Sequence, residues 1–185
     1  MESDLHIWTQ FRSGDKSALS YIYHAHVKLL FRYGKKFTSD SDLVKDTIQD
    51  LFFDLIRTRG NLGDTDNICF YLMRSFRRRL AVNMKKSESR FRRELYETQP
   101  LIDYSMEDNL IGQEFMAERY RFIHNGLKEL NPRQREILFY RFTCNFSYEQ
   151  ICELMSLKYD SARKLAFRAI ESLRRMVDDS VFIDK

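Results

Sequence analysis

Apolar residues recur along this chain at intervals of three and four, the spacing of one face of an α-helix, and no stretch alternates as a half-buried strand would. Leu5, Trp8 and Phe11 open the series, then Gly14-Asp15 breaks and restarts the chain. From Lys16 to Phe37 a second face carries Leu19, Ile22, Tyr23, His26, Leu29, Leu30, Tyr33 and Phe37. Ser39-Asp40-Ser41 supplies capping oxygens for a third helix, whose apolar face is Leu43, Val44, Thr47, Ile48, Leu51, Phe52 and Leu55. Asp46, Gln49, Asp50 and Asp54 fall on another face, with Phe53 near them. A loop containing Gly and Asn follows from Arg57 to Asn67, and Ile68, Tyr71, Leu72, Phe76 and Leu80 mark a fourth helix.

The periodicity thins between Thr98 and Glu107, where Pro100 also falls, so a domain boundary belongs there. A helix is expected from about Phe115 to Leu130. Asn131-Pro132 then gives an N-cap with proline at the first helical position, and Gln134 completes a capping box. Ile137, Leu138, Tyr140 and Arg141 continue that helix. Ser147 and Gln150 form a second box ahead of Ile151, Cys152, Leu154 and Met155. A tight turn at Ser156-Leu157 leads into a last helix carrying Ala162, Leu165, Ala166, Ala169, Ile170 and Leu173. The expected fold is all-α: two small helical domains, residues 1–95 and 115–185, joined by a flexible acidic linker over 96–114.

Composition narrows the classes. Hydrophobic residues make up 43% and charged residues 31% of the chain, the balance of a folded soluble protein, and six Gly and two Pro are few for a chain of many strands and turns. No run approaches the ~18 apolar residues of a membrane span, so no membrane insertion is expected. Met1 to Asp4 lacks the basic start and apolar run of a signal peptide, which points to the cytoplasm. Cys69, Cys144 and Cys152 are odd in number and lack zinc-type spacing, and are expected as reduced core thiols. His24 and His26, two apart, point in different directions on a helix. No metal, cofactor or catalytic residue is expected.

The net charge of +4 conceals an alternation. Residues 1–93 carry 18 basic and 11 acidic side chains, residues 94–118 carry seven acidic and none basic, and residues 119–185 carry 13 and nine. Two nucleic-acid-facing modules joined by an acidic segment would produce this pattern. Within the first module, Arg74, Arg77, Arg78, Arg79, Lys85, Lys86, Arg90, Arg92 and Arg93 are opposed only by Glu88. Such cations displace phosphate counterions. Interleaved Phe70, Tyr71 and Phe76 could stack on unpaired bases or serve the core; Phe76 fits the core, and Phe70 and Tyr71 fit either.

In the second module, two short helices, a turn of few residues and a longer basic helix spell a helix-turn-helix. Cys152 can be the small residue where the helices cross, and Ser156 the turn residue, where glycine would serve better. Lys158, Tyr159, Ser161, Arg163, Lys164 and Arg168 supply the basic and polar groups that a reading helix needs at its N-terminal end. A capped helical hairpin with a solvated charged face would show the same spacing.

Taken in order, these segments resemble the sigma factors of bacterial RNA polymerase, specifically the extracytoplasmic-function group of the sigma-70 family. Leu43-Val-Lys-Asp-Thr-Ile-Gln-Asp-Leu-Phe52 is similar to the family's Asp-Leu-Val-Gln-Asp-Thr-Phe helix, and Tyr71-Leu72 with the arginine run resembles the segment after it. Leu130-Asn-Pro-Arg-Gln-Arg-Glu-Ile137 is similar to the Leu-Pro-x-x-x-Arg-Glu opening of the promoter-reading domain. Phe146-Ser-Tyr-Glu-Gln-Ile151 and Arg168-Ala-Ile-Glu-Ser-Leu-Arg174 complete the match, which spans nearly the whole chain apart from the linker. The chain departs from the family at Ser156, usually glycine, at Lys158, usually serine, and at Ser161-Ala162, usually Thr-Val.

The resemblance implies roles. Asp46, Gln49, Asp50 and Phe53 would meet the coiled coil of the largest subunit of core RNA polymerase, and the C-terminal domain its flap region. The loop carrying Asn61, Asp64 and Asn67 would capture a base flipped from the −10 element of promoter DNA. Arg74, Arg77, Arg78, Lys85 and Lys86 would hold phosphates nearby, and the last helix would enter the major groove at the −35 element. An anti-sigma factor would restrain the protein. A plain helix-turn-helix repressor would explain only the second module. A metal-dependent nuclease would need converging carboxylates, whereas Asp42, Asp46, Asp50 and Asp54 form a stripe suited to a protein surface.

Limited proteolysis is expected to cut first between Thr98 and Glu107 and to leave two resistant helical fragments; earlier cutting inside either module would refute the boundary.

Overall fold

The computed structural model describes residues 3–91, Leu127 and 130–181. The chain divides into two compact units, Met1–Asp103 and Tyr104–Lys185, each treated by itself. Every regular element among the described residues is helical. The expected linker over 96–114 and the expected helix from Phe115 to Leu130 lie outside the described residues, save Leu127 and Leu130.

Among its described residues the first unit holds four α-helices: α1 (Asp4–Ser13), α2 (Lys16–Gly34), α3 (Ser41–Thr58) and α4 (Ile68–Phe91). Their starts follow the sequence signals. Ser3 accepts from the N–H of His6, Asp15 from those of Ser17 and Ala18, and Asp40 from those of Asp42 and Leu43. Between α1 and α2 the chain turns at Gly14, whose φ of 101° a side chain would resist. The core gathers Trp8, Phe11, Ile22, Leu30, Tyr33, Val44, Leu51, Leu72, Met73 and Phe76. Thr47, buried on α3, donates to the carbonyl of Leu43 (2.7 Å) and accepts from the side chain of Asn83 on α4 (3.1 Å), so its polar group is satisfied.

Some expected faces shift. Leu5 is 47% exposed, and Ile7 takes its place beside Trp8 and Phe11, since a strict three-residue spacing drifts around the helix. Tyr23 stays exposed at its rim while laying its ring against Phe52 (5.0 Å between centroids). Cys69, Cys144 and Cys152 form no disulfide and are only half-buried, so none is a core thiol in the full sense.

The second unit contains α5 (Pro132–Leu138), which widens into a π turn at Phe139–Thr143, then α6 (Tyr148–Met155) and α7 (Tyr159–Val181). Both capping boxes form, Asn131 with Gln134 and Ser147 with Gln150. The π turn corrects the expectation of a plain helix through Arg141. It carries Tyr140 into the core, where its hydroxyl donates to the buried Glu136 carboxylate (3.0 Å). Asn145, at φ 54°, then reverses the chain. Ala162, Ala166 and Ala169 are buried on the inner face of α7, and such small side chains let helix backbones approach closely.

Gly34 closes α2 against its neighbours. A Cβ there would lie 2.6 Å from Val44 Cγ1 on α3 and 3.2 Å from Phe76 Cζ on α4. Gly34→Ala is expected to lower unfolding stability by about 1–3 kcal/mol, read as a reduced midpoint in urea with unchanged slope.

Candidate polymerase and nucleic-acid interfaces

The outer face of α3 is set by its inner one. With Val44, Ile48, Leu51 and Leu55 buried, Asp46, Gln49, Asp50 and Phe53 all stand in solvent, and Phe53 is 60% exposed although large and apolar. Asp54 leaves this group. Its carboxylate pairs with Arg57 (2.6 Å) on its own helix and with Arg79 on α4. The stripe expected from Asp42 to Asp54 therefore ends at Asp50, and Arg79 is drawn out of the basic run to join α3 to α4.

The segment between α3 and α4 is more ordered than a loop from Arg57 to Asn67. Helix α3 continues to Thr58 and tightens into a 3₁₀ turn at Arg59–Asn61 before the chain extends. Asn61 is exposed on that turn. Asp64 is exposed and ion-paired with Arg12 of α1. Asn67 is half-buried, and its side chain accepts from the N–H of Phe70 (2.8 Å) to cap α4. The three residues thus lie on one short segment, but in three different settings.

Along α4, Arg74, Arg78 and Lys85 fall at i, i+4 and i+11 and form one exposed stripe, with the half-buried Arg77 at its edge. Lys86 is exposed too, turned about 100° from Lys85. Phe76 is fully buried, and Tyr71 packs on Trp8 (4.8 Å), so both serve the core. The side chains of Arg90, Arg92 and Arg93 lie outside the described residues.

The helix-turn-helix is built by α6 and α7. Ser156 stands at φ 53° and ψ 52°, the left-handed conformation that glycine adopts at lower cost, and its N–H closes on the carbonyl of Cys152. Burial pushes the Cys152 thiol up, with Glu149 adding to the effect. Arg141 lies over the ring of Tyr148 (5.2 Å), and Tyr148 meets Tyr159 edge-on (5.7 Å), which ties the start of α7 to the π turn after α5. All six expected reading residues, Lys158, Tyr159, Ser161, Arg163, Lys164 and Arg168, are exposed.

Phe167 was not foreseen. It is 63% exposed on the outward face of α7, between Arg163 and Glu171 and opposite the buried alanines. An aromatic residue amid the polar positions of that face was the available signal. Among the described residues no three His, Cys, Asp or Glu side chains group as a metal site, and no helix is long and apolar enough to cross a membrane.

Residues 123–173 match the family model for sigma-70 region 4. Over 170 residues the chain is 22% identical to the RNA polymerase sigma factor CarQ of Myxococcus xanthus, an alignment covering 92% of this chain and 95% of that one. A shorter match, 34% over 82 residues, is to the RNA polymerase sigma-B factor of a Nostoc strain, and covers 40% of this chain and 25% of that protein. Among solved structures, CnrH in complex with the cytosolic domain of CnrY has the same fold, with a TM-score of 0.60 at 16% identity over 96% of this chain and 99% of that one. So does the sigma factor RpoE of Bartonella quintana in complex with the anti-sigma factor NepR, with a TM-score of 0.59 at 17% identity over 92% and 98%.

The Asp54 carboxyl is held below its ordinary value of 3.8, chiefly by the hydrogen bond from Arg79. A lowered value means that the ionised form favours the fold, so this contribution is present above the ordinary value and fades as pH falls through the folded one. Asp54→Asn is expected to melt below the parent at neutral pH, with the gap closing on acidification below 3.8. A gap independent of pH would refute the pairing.

Proposed function

We propose that this chain, which belongs to the extracytoplasmic-function sigma factors and acts in transcription initiation, delivers core RNA polymerase to promoters through separate polymerase-facing and DNA-facing surfaces. The outer face of α3, with Asp46, Gln49, Asp50 and Phe53, contacts the largest subunit of the polymerase. An exposed Phe beside carboxylates suits a basic partner surface with an apolar pocket, and like-charge substitution at such a contact costs several kcal/mol. The acidic segment lies along polymerase channels that otherwise hold nucleic acid, and the second unit meets the flap region.

Helix α7 enters the major groove of the −35 element. Arg163 and Lys164, near its start, face base edges, Arg168 holds backbone phosphate, and Phe167 offers an apolar surface to a thymine methyl. At the −10 element the segment with Asn61, Asp64 and Asn67 captures an extruded base, while Arg74, Arg77, Arg78, Lys85 and Lys86 hold phosphates of the separated strand. Unstacking a base costs a few kcal/mol, so the capturing segment and the cations act together. An anti-sigma factor is the expected restraining partner, as the RpoE structure carries one.

The observation that carries this reading is the pairing, in one chain, of an exposed helix-turn-helix face with an acidic face and a separate basic stripe on the other unit. A repressor needs only the first. Run-off transcription with core polymerase and a promoter-bearing DNA pool tests it. The parent chain is expected to produce specific transcripts, and Asp50→Arg to lose core binding with its helicity intact. The triple variant Asn61→Ala, Asp64→Ala, Asn67→Ala should bind core and closed promoter, fail to melt it, and recover on a template mismatched across the melted region. Normal opening of paired DNA by the triple variant would place base capture elsewhere.

A further inference from the structure

One stripe of α1 converges on the segment that precedes α4. Asp4, Trp8 and Arg12 are four residues apart and so stand one above another on a single helix face. Asp4 Oδ2 accepts from the N–H of Ile68, the first residue of α4 (2.8 Å). The indole N–H of Trp8 donates to the carbonyl of Gly63 (2.9 Å). The Arg12 guanidinium is ion-paired with the Asp64 carboxylate. At the other end of the segment, the Arg59 guanidinium lies 3.6 Å from where a Cβ on Gly14, the residue that ends α1, would stand.

Trp8 is the strongest of these holds. It is fully buried, with its ring against Phe11 (5.4 Å) and Tyr71 (4.8 Å). A buried N–H must find an acceptor, and any shift of Gly63 would leave this one stranded. The backbone at Gly63 is thereby fastened to the core rather than left to the solvent. Asp64, next to it, spends its charge on Arg12.

We propose that α1 is a clamp that sets the shape of residues 62–67, and that Asp4, Trp8 and Arg12 are positioning residues for base capture at the −10 element. Asp64 acts through Arg12, by holding the segment, and not by reading the base. This rests on the reading that the segment captures an extruded base, and deepens it by dividing the segment's polar residues between holding and reading.

The test uses holoenzyme assembled with the full chain and three variants: Trp8→Phe, which keeps a ring but deletes the donor, Arg12→Asp, and the swapped pair Arg12→Asp with Asp64→Arg. Promoter opening is measured on a parent duplex and on a set of single-base −10 variants. Trp8→Phe and Arg12→Asp are expected to open the parent promoter about tenfold more slowly, with core affinity and −35 discrimination unchanged. The loss should concentrate at one −10 position, where preference between bases flattens. The swapped pair should restore most of the opening lost in Arg12→Asp. Normal opening by both single variants, an equal loss on every template, or a swapped pair no better than Arg12→Asp would each overturn the clamp. The Asn61, Asp64, Asn67 triple variant separates the two ideas. If it opens paired DNA normally, base capture by this segment falls; if it fails while Trp8→Phe and Arg12→Asp are normal, only the clamp falls.

Discussion

Where α2 meets α3 and α4, the methyl groups of Val44 and the ring edge of Phe76 occupy the space that a side-chain carbon on Gly34 would need. The second unit solves the same problem with three alanines, Ala162, Ala166 and Ala169, on the inner face of α7. Units of this size bury a limited share of their surface, so their helices must approach closely for the aromatic residues to be enclosed. Once the backbones are close, each helix has one narrow buried stripe and a broad outer face. The outer faces of α3, α4 and α7 are therefore free to be acidic, basic and mixed, and their different chemistries reflect how little the core asks of them.

Polar contacts then fix what close packing leaves adjustable. Asp54 with Arg79 and Thr47 with Asn83 join α3 to α4 at two levels. The chain of Arg141, Tyr148 and Tyr159 joins the start of α7 to the π turn after α5. In each case the tie lies beside a surface assigned to binding, so the surface is presented on a braced helix rather than on a loose one.

Much of this was legible in the amino-acid order because it is local. Asn131-Pro132 with Gln134, and Ser147 with Gln150, announce helix starts within four residues, and both boxes form. Phe76 followed the apolar period into the core, and Lys158, Tyr159, Ser161, Arg163, Lys164 and Arg168 followed the polar one into solvent. What escaped depends on partners far along the chain. Asp54 looks like one more carboxylate of an exposed stripe until Arg79, 25 residues on, claims it. Trp8 and Gly63 are 55 residues apart, and no periodicity within α1 points to a carbonyl in a later segment. The π turn at Phe139–Thr143 adds a residue to the helical repeat without any glycine or proline to mark it. Leu5 was misplaced for the opposite reason: its three-residue spacing was regular, yet such a spacing drifts around the helix, and Ile7 is buried in its stead.

Trp8 is also the only tryptophan in the chain. Indole emission shifts to longer wavelength when the ring meets water, and here the ring is enclosed in the first unit and tied to Gly63. The intrinsic fluorescence of the protein therefore belongs to one unit alone. Red-shifted emission during unfolding records the opening of the first unit, while circular dichroism records the helices of both. Any stage at which the two signals part measures how independently the units stand, with no label attached and no residue changed.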